Sequence, residues 1–349
     1  WFACPFPEEA YRHYNASSCI TDRHGEILRT TLSPTGQRCL PIVLKDAGEW
    51  FPNAIIATED KRFYNHQGVD LLALGRAIGQ MIWHRKVVSG ASTISTQVIR
   101  LVRPRPRNLF SKNIEAFRAL QMETVFTKEE ILEQYLNRTP FGGNLVGIRA
   151  ASLHYFSKEP ANLSLEEASL LAGLPQSPNQ LRPDRHPAMA KKRRDHVLER
   201  MAECKFLKEE QQIAATGSPI ILEPWIPPFH APHFVDAVLQ GSLQSSPKTT
   251  LDLHLQQLVE DLLARHPSEK AKGAAIVLLD APTGQILSMV GSPDYQDQRN
   301  AGQVNAALAR RSPGSTLKSF AYALAFDRGQ LTPEEVLKDP PLGLPGYHP

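Results

Sequence analysis

The spacing of apolar residues changes along the chain, and the changes outline its organisation. Residues 1 to about 50 alternate short apolar runs with turn residues, which predicts two-stranded β structure. From Phe51 to about Leu207 the apolar residues recur with helical spacing, so this stretch is predicted to be a bundle of helices. Two capping boxes precede apolar runs there and mark predicted helix starts: Thr127 with Glu130, and Ser164 with Glu167.

A second unit is predicted beyond a Pro-rich connector at Gly217 to Pro232, and it begins near Thr249. The run Ala274 to Leu279 is typical of a buried strand, and Gln285 to Val290 of a returning strand. The turn residues between them predict a hairpin at the start of an α/β domain. No nucleotide-binding glycine pattern lies nearby.

Composition fits a globular protein of more than one domain. The chain has 349 residues, 42% of them apolar and 21% charged. A formal net charge of +3 is too weak to indicate nucleic-acid binding. The basic run Lys191 to Arg194 is interpreted as a solvated helix face or a contact to anionic lipid or phosphate.

The four cysteines show no metal-binding spacing, and a disulfide among Cys4, Cys19 and Cys39 stays open. No apolar run reaches 18 residues, so no membrane-spanning helix is predicted within the chain. The chain starts at Trp1 and ends in a Pro/Gly-rich stretch. We therefore expect both ends to be cut from a longer protein, with a membrane anchor before Trp1.

The segment Thr58 to Asp70 is the most informative for chemistry, because it sets the acidic pair Glu59–Asp60 at the end of an apolar stretch. Pro52 suits the first turn of a helix, so a short helix is predicted from Ile55 to Asp60. A carboxylate where an apolar helix meets a loop is poorly solvated, which suits proton transfer. An exposed charge cluster at a helix end is the alternative. Gly68 is predicted to form a turn, and Asp70 to cap a helix that starts at Leu71.

Three neighbouring segments carry groups suited to an anionic ligand. The stretch Gly90 to Gln97 is rich in hydroxyls that can donate to an anion, although a plain helix cap is the alternative. A proline-stiffened loop of arginines comes next, whose forked donors suit a diphosphate, although a solvated basic loop is the alternative. Lys112 and Glu115 lie three apart on a helix predicted from Ser111 to Glu123, with an ordinary surface ion pair as the alternative. The cations of this region are Arg100, Arg103, Arg105, Arg107 and Lys112.

Taken in order, these segments resemble the peptidoglycan glycosyltransferase domain of class A penicillin-binding proteins, glycosyltransferase family 51. The likeness covers about Trp50 to Met201, and the pattern Glu-Asp-x-x-Phe-x-x-His-x-Gly-x-Asp is complete at 59–70. It implies a mainly α, lysozyme-like domain with a hydrophobic, membrane-facing jaw. Such a domain polymerises lipid II into glycan strands with release of undecaprenyl diphosphate. The run Ile131 to Lys158 also matches the family and is interpreted as packing and turn residues.

The resemblance implies roles for individual residues. Glu59 would deprotonate the acceptor's sugar 4-hydroxyl, and Glu115 would organise the diphosphate directly or through a divalent cation. No obligatory cofactor and no dedicated metal site are implied, although Mg or Mn could bind. The implied substrate-binding residues are Asp60, Phe63, His66, Ser92, Thr93, Gln97, Arg100, Arg107 and Lys112. Two positions depart from the family, which has Gln-Gln where this chain has Thr96–Gln97 and Arg-Lys where it has Ser111–Lys112.

The second unit carries Ser315 and Lys318 in a Ser-x-x-Lys pair, a spacing that lets the amine activate the hydroxyl for acyl transfer. Although such pairs also occur by chance, this one resembles the start of an α/β penicillin-binding transpeptidase domain, most like the 1C type. The Ser-x-Asn and Lys-Thr-Gly motifs of that domain do not follow Lys318. We therefore expect a truncated transpeptidase that does not catalyse acyl transfer by itself, and β-lactam binding only with the full domain.

The predicted organisation has four parts: an N-terminal β-containing juxtamembrane segment (1–49), the glycosyltransferase domain (50–215), a linker (216–248) and a partial transpeptidase domain (249–349). The expected partners are lipid II, the growing glycan strand and a membrane with anionic lipid, without nucleic acid. The expected location is the bacterial inner membrane, with the catalytic domains in the periplasm. Two alternatives stay open: an acyl-transfer enzyme whose first domain is not catalytic, and a non-enzymatic cell-wall interaction module.

Overall fold

The computed structural model describes residues 4–76, 92–106, 108–241, 247–266 and 273–337. Helices are the main regular structure of the described chain, which also contains small two-stranded sheets. The α-helices are α1 (Glu9–Arg12), α2 (Trp50–Glu59), α3 (Ile94–Val102), α4 (Leu109–Met122), α5 (Lys128–Arg138), α6 (Ile148–Phe156), α7 (Leu165–Gly173), α8 (Pro187–Glu203), α9 (Glu209–Gly217), α10 (Pro232–Gln240), α11 (Leu253–Arg265) and α12 (Leu317–Asp327). Residues 71–76 are also helical.

Three strand pairs accompany the helices. The predicted N-terminal hairpin is confirmed as antiparallel β1 (Cys19–Thr21) and β2 (Ile27–Thr30). Strand β3 (Arg38–Cys39) pairs in parallel with β4 (Leu145–Val146). The predicted C-terminal hairpin is confirmed as antiparallel β5 (Ile276–Leu279) and β6 (Ile286–Val290), with Ile276 opposite Val290. The prediction that its first strand is buried is wrong, because all four residues of β5 are exposed and no described element covers them.

Local hydrogen bonds explain where the helices begin. Both predicted capping boxes are present, and at α5 Thr127 Oγ1 accepts from Glu130 N at 3.2 Å. The helix predicted from Ser111 to Glu123 starts earlier, at Leu109, because the side chain of Asn108 accepts from Ser111 N at 2.8 Å and caps it.

The main hydrophobic core lies among the helices of the central region. Helix α2 packs against α7 and α8, and α3 packs between α4 and α5. The side chains of Phe51, Ile55, Ile94 and Tyr135 are among those fully buried there. This packing confirms the mainly α fold, and a hydrogen bond from Gln97 to Glu59 sets the end of α2 beside α3.

The N-terminal hairpin packs in a second, smaller core together with residues from much later in the chain. Ile20 and Leu28 share it with Phe234, Val235 and Met289. Polar contacts reinforce this packing: Arg29 Nη1 donates to Asp236 Oδ1 at 2.6 Å, and Leu253 N donates to Asp22 Oδ2 at 3.2 Å. The hairpin is therefore bound to the second unit of the structure, and the boundaries between the four predicted parts stay predictions.

Within the described ranges no helix combines the length and the apolar character needed to cross a membrane.

Candidate active site

Glu59 is the last residue of α2, and its side chain is half-buried. Helix α2 starts at Trp50, two residues before Pro52, so the proline lies in its first turn. Gln97 Nε2, on α3, donates to Glu59 Oε2 at 2.8 Å. The two predicted site residues are thus in direct contact, and the amide fixes one carboxylate oxygen of Glu59.

Asp60 and His66 hold the loop that follows α2. Asp60 Oδ2 accepts from Ile94 N at 3.0 Å, at the start of α3, and lies 2.9 Å from His66 Nε2. A carboxylate only accepts hydrogen bonds, so His66 carries its proton on Nε2. Both side chains are more than nine-tenths buried, at 4% and 7% exposure. The carboxylate of Asp60 and Nε2 of His66 are therefore engaged within the protein, whereas His66 Nδ1 is buried without a hydrogen-bond partner.

Phe63 is also fully buried. Its ring lies edge-on to His66, with 6.3 Å between the ring centroids, and Lys128 Nζ lies 4.5 Å from its ring centroid. The structure places Phe63 in the core beneath the loop that follows α2. Its predicted contact with substrate stays a prediction.

Thr93 caps α3 and ties it to the same loop. Its Oγ1 accepts from Thr96 N at 3.2 Å and donates to the carbonyl of Gly68 at 2.6 Å. Thr96 Oγ1 in turn accepts from Thr93 N at 2.9 Å, so the threonine that departs from the family pattern completes a capping box. Ser92, next to this cap, is exposed.

Arg100 and Glu115 form an ion pair between α3 and α4, with 3.5 Å between Arg100 Nε and Glu115 Oε1. Glu115 is 9% exposed and Arg100 35%, so the pair sits at the edge of the core with the cation nearer to solvent. Lys112 is exposed one turn before Glu115, and Ser111 is buried in the first turn of α4. Arg107 lies outside the described residues. The structure thus pairs Glu115 with Arg100 and not with Lys112, which is exposed; the predicted ligand contacts of these residues stay predictions.

The charge of Glu59 influences two residues that sequence analysis did not connect with it, Arg193 and Tyr135. Arg193 lies half-buried on α8. Burial lowers its pKa, and the Glu59 carboxylate offsets part of that effect. Tyr135 is fully buried on α5; burial, and next the Glu59 carboxylate, raise its pKa well above the usual value.

The interpretation of the basic run Lys191 to Arg194 as a solvated face is wrong for Arg194. That side chain is 1% exposed and donates to the carbonyls of Thr216 and Ser218, at 3.0 and 2.8 Å. The sequence held a signal for this, because position 194 falls on the buried helical stripe with Ala190, Val197 and Met201. An arginine in such a stripe can be buried because backbone carbonyls accept hydrogen bonds from its guanidinium group.

Ser315 lies in the short helical turn Gly314–Thr316 that leads into α12, and Lys318 lies in the first turn of α12. Both are exposed. The predicted one-turn spacing is therefore present, at a distance along the chain from the Glu59 site. In the ranges the structure describes, no three His, Cys, Asp or Glu side chains gather in a group that could hold a metal ion.

Comparisons with known proteins divide the chain in two. Residues 24–202 match the family described as Transglycosylase, and residues 274–347 match the family described as Penicillin binding protein transpeptidase domain. Penicillin-binding protein 1C of Escherichia coli is 41% identical over 313 residues, which cover 88% of this chain and 40% of the relative. Penicillin-binding protein 1F of Bacillus subtilis is 30% identical over 349 residues, which cover 93% of this chain and 48% of the relative.

The chain thus spans less than half the length of these two relatives. Among solved structures, it is similar to penicillin-binding protein 1A from Haemophilus influenzae, with 18% identity and a TM-score of 0.37 over 96% of this chain and 56% of that one.

Proposed function

Because this chain belongs to the class A penicillin-binding proteins, with a transglycosylase domain followed by a penicillin-binding transpeptidase domain, we propose that it polymerises lipid II into glycan strands. The observation that carries the proposal is the placement of Glu59. Its half-buried carboxylate has one oxygen held by Gln97, while the Arg100–Glu115 pair lies on the two neighbouring helices.

In the proposed reaction, Glu59 takes the proton of the acceptor's sugar 4-hydroxyl. The hydroxyl oxygen then bonds to the anomeric carbon of the donor, and the bond from that carbon to the diphosphate oxygen breaks. Undecaprenyl diphosphate leaves with the bonding electrons. A base near its target of this kind contributes typically about 10²–10⁴-fold to rate.

Negative charge grows on the leaving diphosphate, so fixed cations beside it stabilise the transition state. We assign this work to Arg100 and Lys112, and to Arg107 by the family pattern. Glu115 holds the Arg100 guanidinium at 3.5 Å and so orients it toward the ligand. The carboxylate of Glu115 is engaged with that cation, and no further acidic or histidine ligand joins it among the described residues. This donor set does not fit an obligatory Mg or Mn ion, and we route no step through one.

We also propose that the site works at the periplasmic face of the bacterial inner membrane. The support is a set of large apolar side chains left in solvent at the starts of the helical residues 71–76 and of α4. Leu71 and Leu72 are each 73% exposed, Leu109 79% and Phe110 73%. Side chains of this kind suit the interface of a lipid bilayer that holds the donor's polyprenyl chain.

A second activity, serine acyl transfer by the longer protein, is supported by one observation. Ser315 and Lys318 lie one helical turn apart, in a segment that matches the penicillin-binding transpeptidase family. In this proposal the lysine amine would accept the proton of the serine hydroxyl as the oxygen attacks a peptide carbonyl; the C–N bond of that peptide then breaks, and its amine leaves with the proton.

Fluorescent lipid II in detergent or vesicles tests the first proposal. We expect the protein to convert it into long glycan strands, with stoichiometric release of undecaprenyl diphosphate. Moenomycin, a phosphoglycolipid inhibitor, should bind the protein and stop the reaction. Unchanged lipid II together with no moenomycin binding would instead indicate an interaction module that only keeps the fold.

A further inference from the structure

The Glu59 carboxylate lies at the end of a flexible side chain, so a neighbour has to fix its direction. The last torsion of a glutamate side chain has broad minima, which leaves the two carboxylate oxygens free to turn. The position of Glu59 at the end of α2 fixes its backbone but not this torsion. The hydrogen bond that Gln97 Nε2 donates to Glu59 Oε2, at 2.8 Å, selects one orientation.

This hydrogen bond makes the two carboxylate oxygens of Glu59 different. A carboxylate accepts hydrogen bonds and does not donate them, so Gln97 presents the NH₂ group of its amide to Oε2. Among the residues that the structure describes, no group donates to the other oxygen, Oε1. Oε1 is therefore the oxygen left to take a proton. The bond to Gln97 can persist through that step, because Oε2 of the neutral carboxyl group still accepts.

The start of α3 holds the amide in place. Thr93 Oγ1 donates to the carbonyl of Gly68 at 2.6 Å, and Ile94 N donates to Asp60 Oδ2 at 3.0 Å. Both acceptors lie in the loop that directly follows α2. Gln97 N donates to the carbonyl of Thr93 at 3.0 Å, so a single helical turn separates this anchored start from Gln97. The backbone that carries the amide is thus fixed to the segment that carries the base.

The departure from the family pattern at position 96 leaves one amide for this contact. The family has two glutamines where this chain has Thr96 followed by Gln97. Thr96 is buried, and its Oγ1 accepts from Thr93 N at 2.9 Å in the capping box of α3. Thr96 therefore serves the helix start. Gln97, which is half-buried, supplies the one side-chain amide of these two positions, and that amide contacts Glu59.

We propose that Gln97 is a positioning residue that turns the Glu59 carboxylate so that Oε1 takes the proton of the acceptor's sugar 4-hydroxyl. This inference rests on the proposed glycosyltransferase function, because it concerns the base of that reaction. It differs from the role implied by the resemblance, in which Gln97 contacts the substrate. Such positioning matters because a displacement of about 1 Å can lower a rate by about 10²-fold.

Steady-state kinetics on labelled lipid II separate the two roles of Gln97. Gln97→Met keeps the approximate length of the side chain and removes its donor. If Gln97 positions Glu59, kcat should fall by about 10- to 100-fold, while KM and the Kd of moenomycin stay within about twofold of the parent values. A residue that binds substrate would instead raise KM and the Kd of moenomycin with kcat unchanged, and that result would overturn the inference.

Two further variants separate positioning from a loss of structure. Gln97→Asn keeps an amide but is one methylene shorter, so it does not reach Glu59 from the same backbone position. Its kcat should fall as in Gln97→Met, and it carries the test if Gln97→Met does not fold. Gln121→Met is the matched control, because it removes a buried amide that donates to the carbonyl of Cys4 at 2.8 Å. Its kcat should be unchanged, and an equal fall there would contradict the specific role of Gln97.

The Glu59→Gln background tests whether Gln97 acts through Glu59. With no base left to direct, Gln97→Met should lower the residual rate no further, whereas a further fall as large as in the parent would overturn the inference. If Glu59→Gln polymerises lipid II as well as the parent does, the proposed function itself fails. A strongly slowed Glu59→Gln together with an unchanged kcat in Gln97→Met refutes the role of Gln97 alone.

Discussion

Gly68 is the point where the loop after α2 touches the backbone of α4, and an added methyl group tests how firmly the loop is held there. Gly68 has a φ of +85°, and a Cβ would lie 2.7 Å from the carbonyl carbon and oxygen of Ala119. Ala119 belongs to α4, the helix that carries Glu115. Because the obstructing atoms are backbone, no side-chain rotation relieves the contact, and either the loop or α4 must move.

The expected loss of folding free energy in Gly68→Ala has two parts. The left-handed backbone costs an alanine about 1–2 kcal/mol, and overpacking against α4 adds about 1–3 kcal/mol. We therefore expect Gly68→Ala to lower the free energy of unfolding by about 2–5 kcal/mol. Gly36 is the matched control, since its φ is +76° and no atom lies within 4 Å of the added Cβ. Gly36→Ala should lower the free energy of unfolding only by the backbone cost, about 1–2 kcal/mol.

Urea titration followed by far-ultraviolet circular dichroism measures both variants. Equal losses of free energy in Gly68→Ala and Gly36→Ala would refute the packing of the loop against α4. Polymerisation of lipid II gives a second readout. It should fall in Gly68→Ala at temperatures where that variant is still folded, because the shift displaces Glu115, and it should be unchanged in Gly36→Ala.

Three further substitutions test buried polar groups. Tyr135→Phe removes a buried hydroxyl without a partner, so the melting temperature should be unchanged or higher. Because burial raises the pKa of Tyr135, the folded parent holds that proton more tightly than the unfolded chain. The parent should therefore lose more stability than Tyr135→Phe above about pH 10; equal alkaline losses would contradict this. Asp22→Ala should lower the free energy of unfolding by about 2–3 kcal/mol at neutral pH, because Asp22 accepts from three backbone N–H groups. Burial opposes the shift, but those bonds lower the pKa of Asp22, so its contribution is present above about 3.8 and lost as the pH falls through the lowered folded value. The gap between parent and variant should therefore close in acid, and a gap that persists at the lowest pH would contradict this. Arg194→Met should cost about 3 kcal/mol by stranding buried carbonyls, whereas the exposed Lys192→Met should stay within about 0.5 kcal/mol; similar losses in both would show that Arg194 is not held as described.

Local patterns allowed much of the fold to be predicted. The capping boxes at Thr127 and Ser164 require only residues three positions apart, and both form as predicted. Asp70 caps the helical residues after it, with Ala73 N donating to its Oδ1 at 2.8 Å. The loop from 59 to 70 also depends on neighbours in sequence, so its pattern was enough to locate the candidate base.

Contacts between distant parts of the chain could not be predicted in the same way. Arg29 and Asp236 are joined by an ion pair of 2.6 Å, yet neither lies in a motif, and 207 positions separate them. The contact of Arg193 with the end of α7 depends on the absence of a side chain at Gly173, where a Cβ would lie 2.8 Å from Arg193 Cγ. The sequence could place Arg193 on a helix, but only the packing of that helix shows that its Nε donates to the carbonyl of Gly173.

The departures from the family pattern became interpretable only with side chains in place. Thr96 uses its hydroxyl to accept from Thr93 N, so it serves the helix start rather than the ligand. Ser111 is buried in the first turn of α4, next to the cap at Asn108. A longer cationic side chain at position 111 would have to adopt a different orientation. Of the cations that we propose to bind the diphosphate, Arg100 and Lys112 lie on the described chain.

The central claim is that Glu59 is the base for glycan polymerisation, and one comparison tests it most directly. Glu59→Gln keeps the shape and the contact with Gln97 but cannot take a proton, while Glu49→Gln makes the same change at the exposed opposite end of α2. Initial rates on labelled lipid II should fall by about 10²–10⁴-fold in Glu59→Gln and be unchanged in Glu49→Gln. Equal rates for Glu59→Gln and the parent protein would contradict the account.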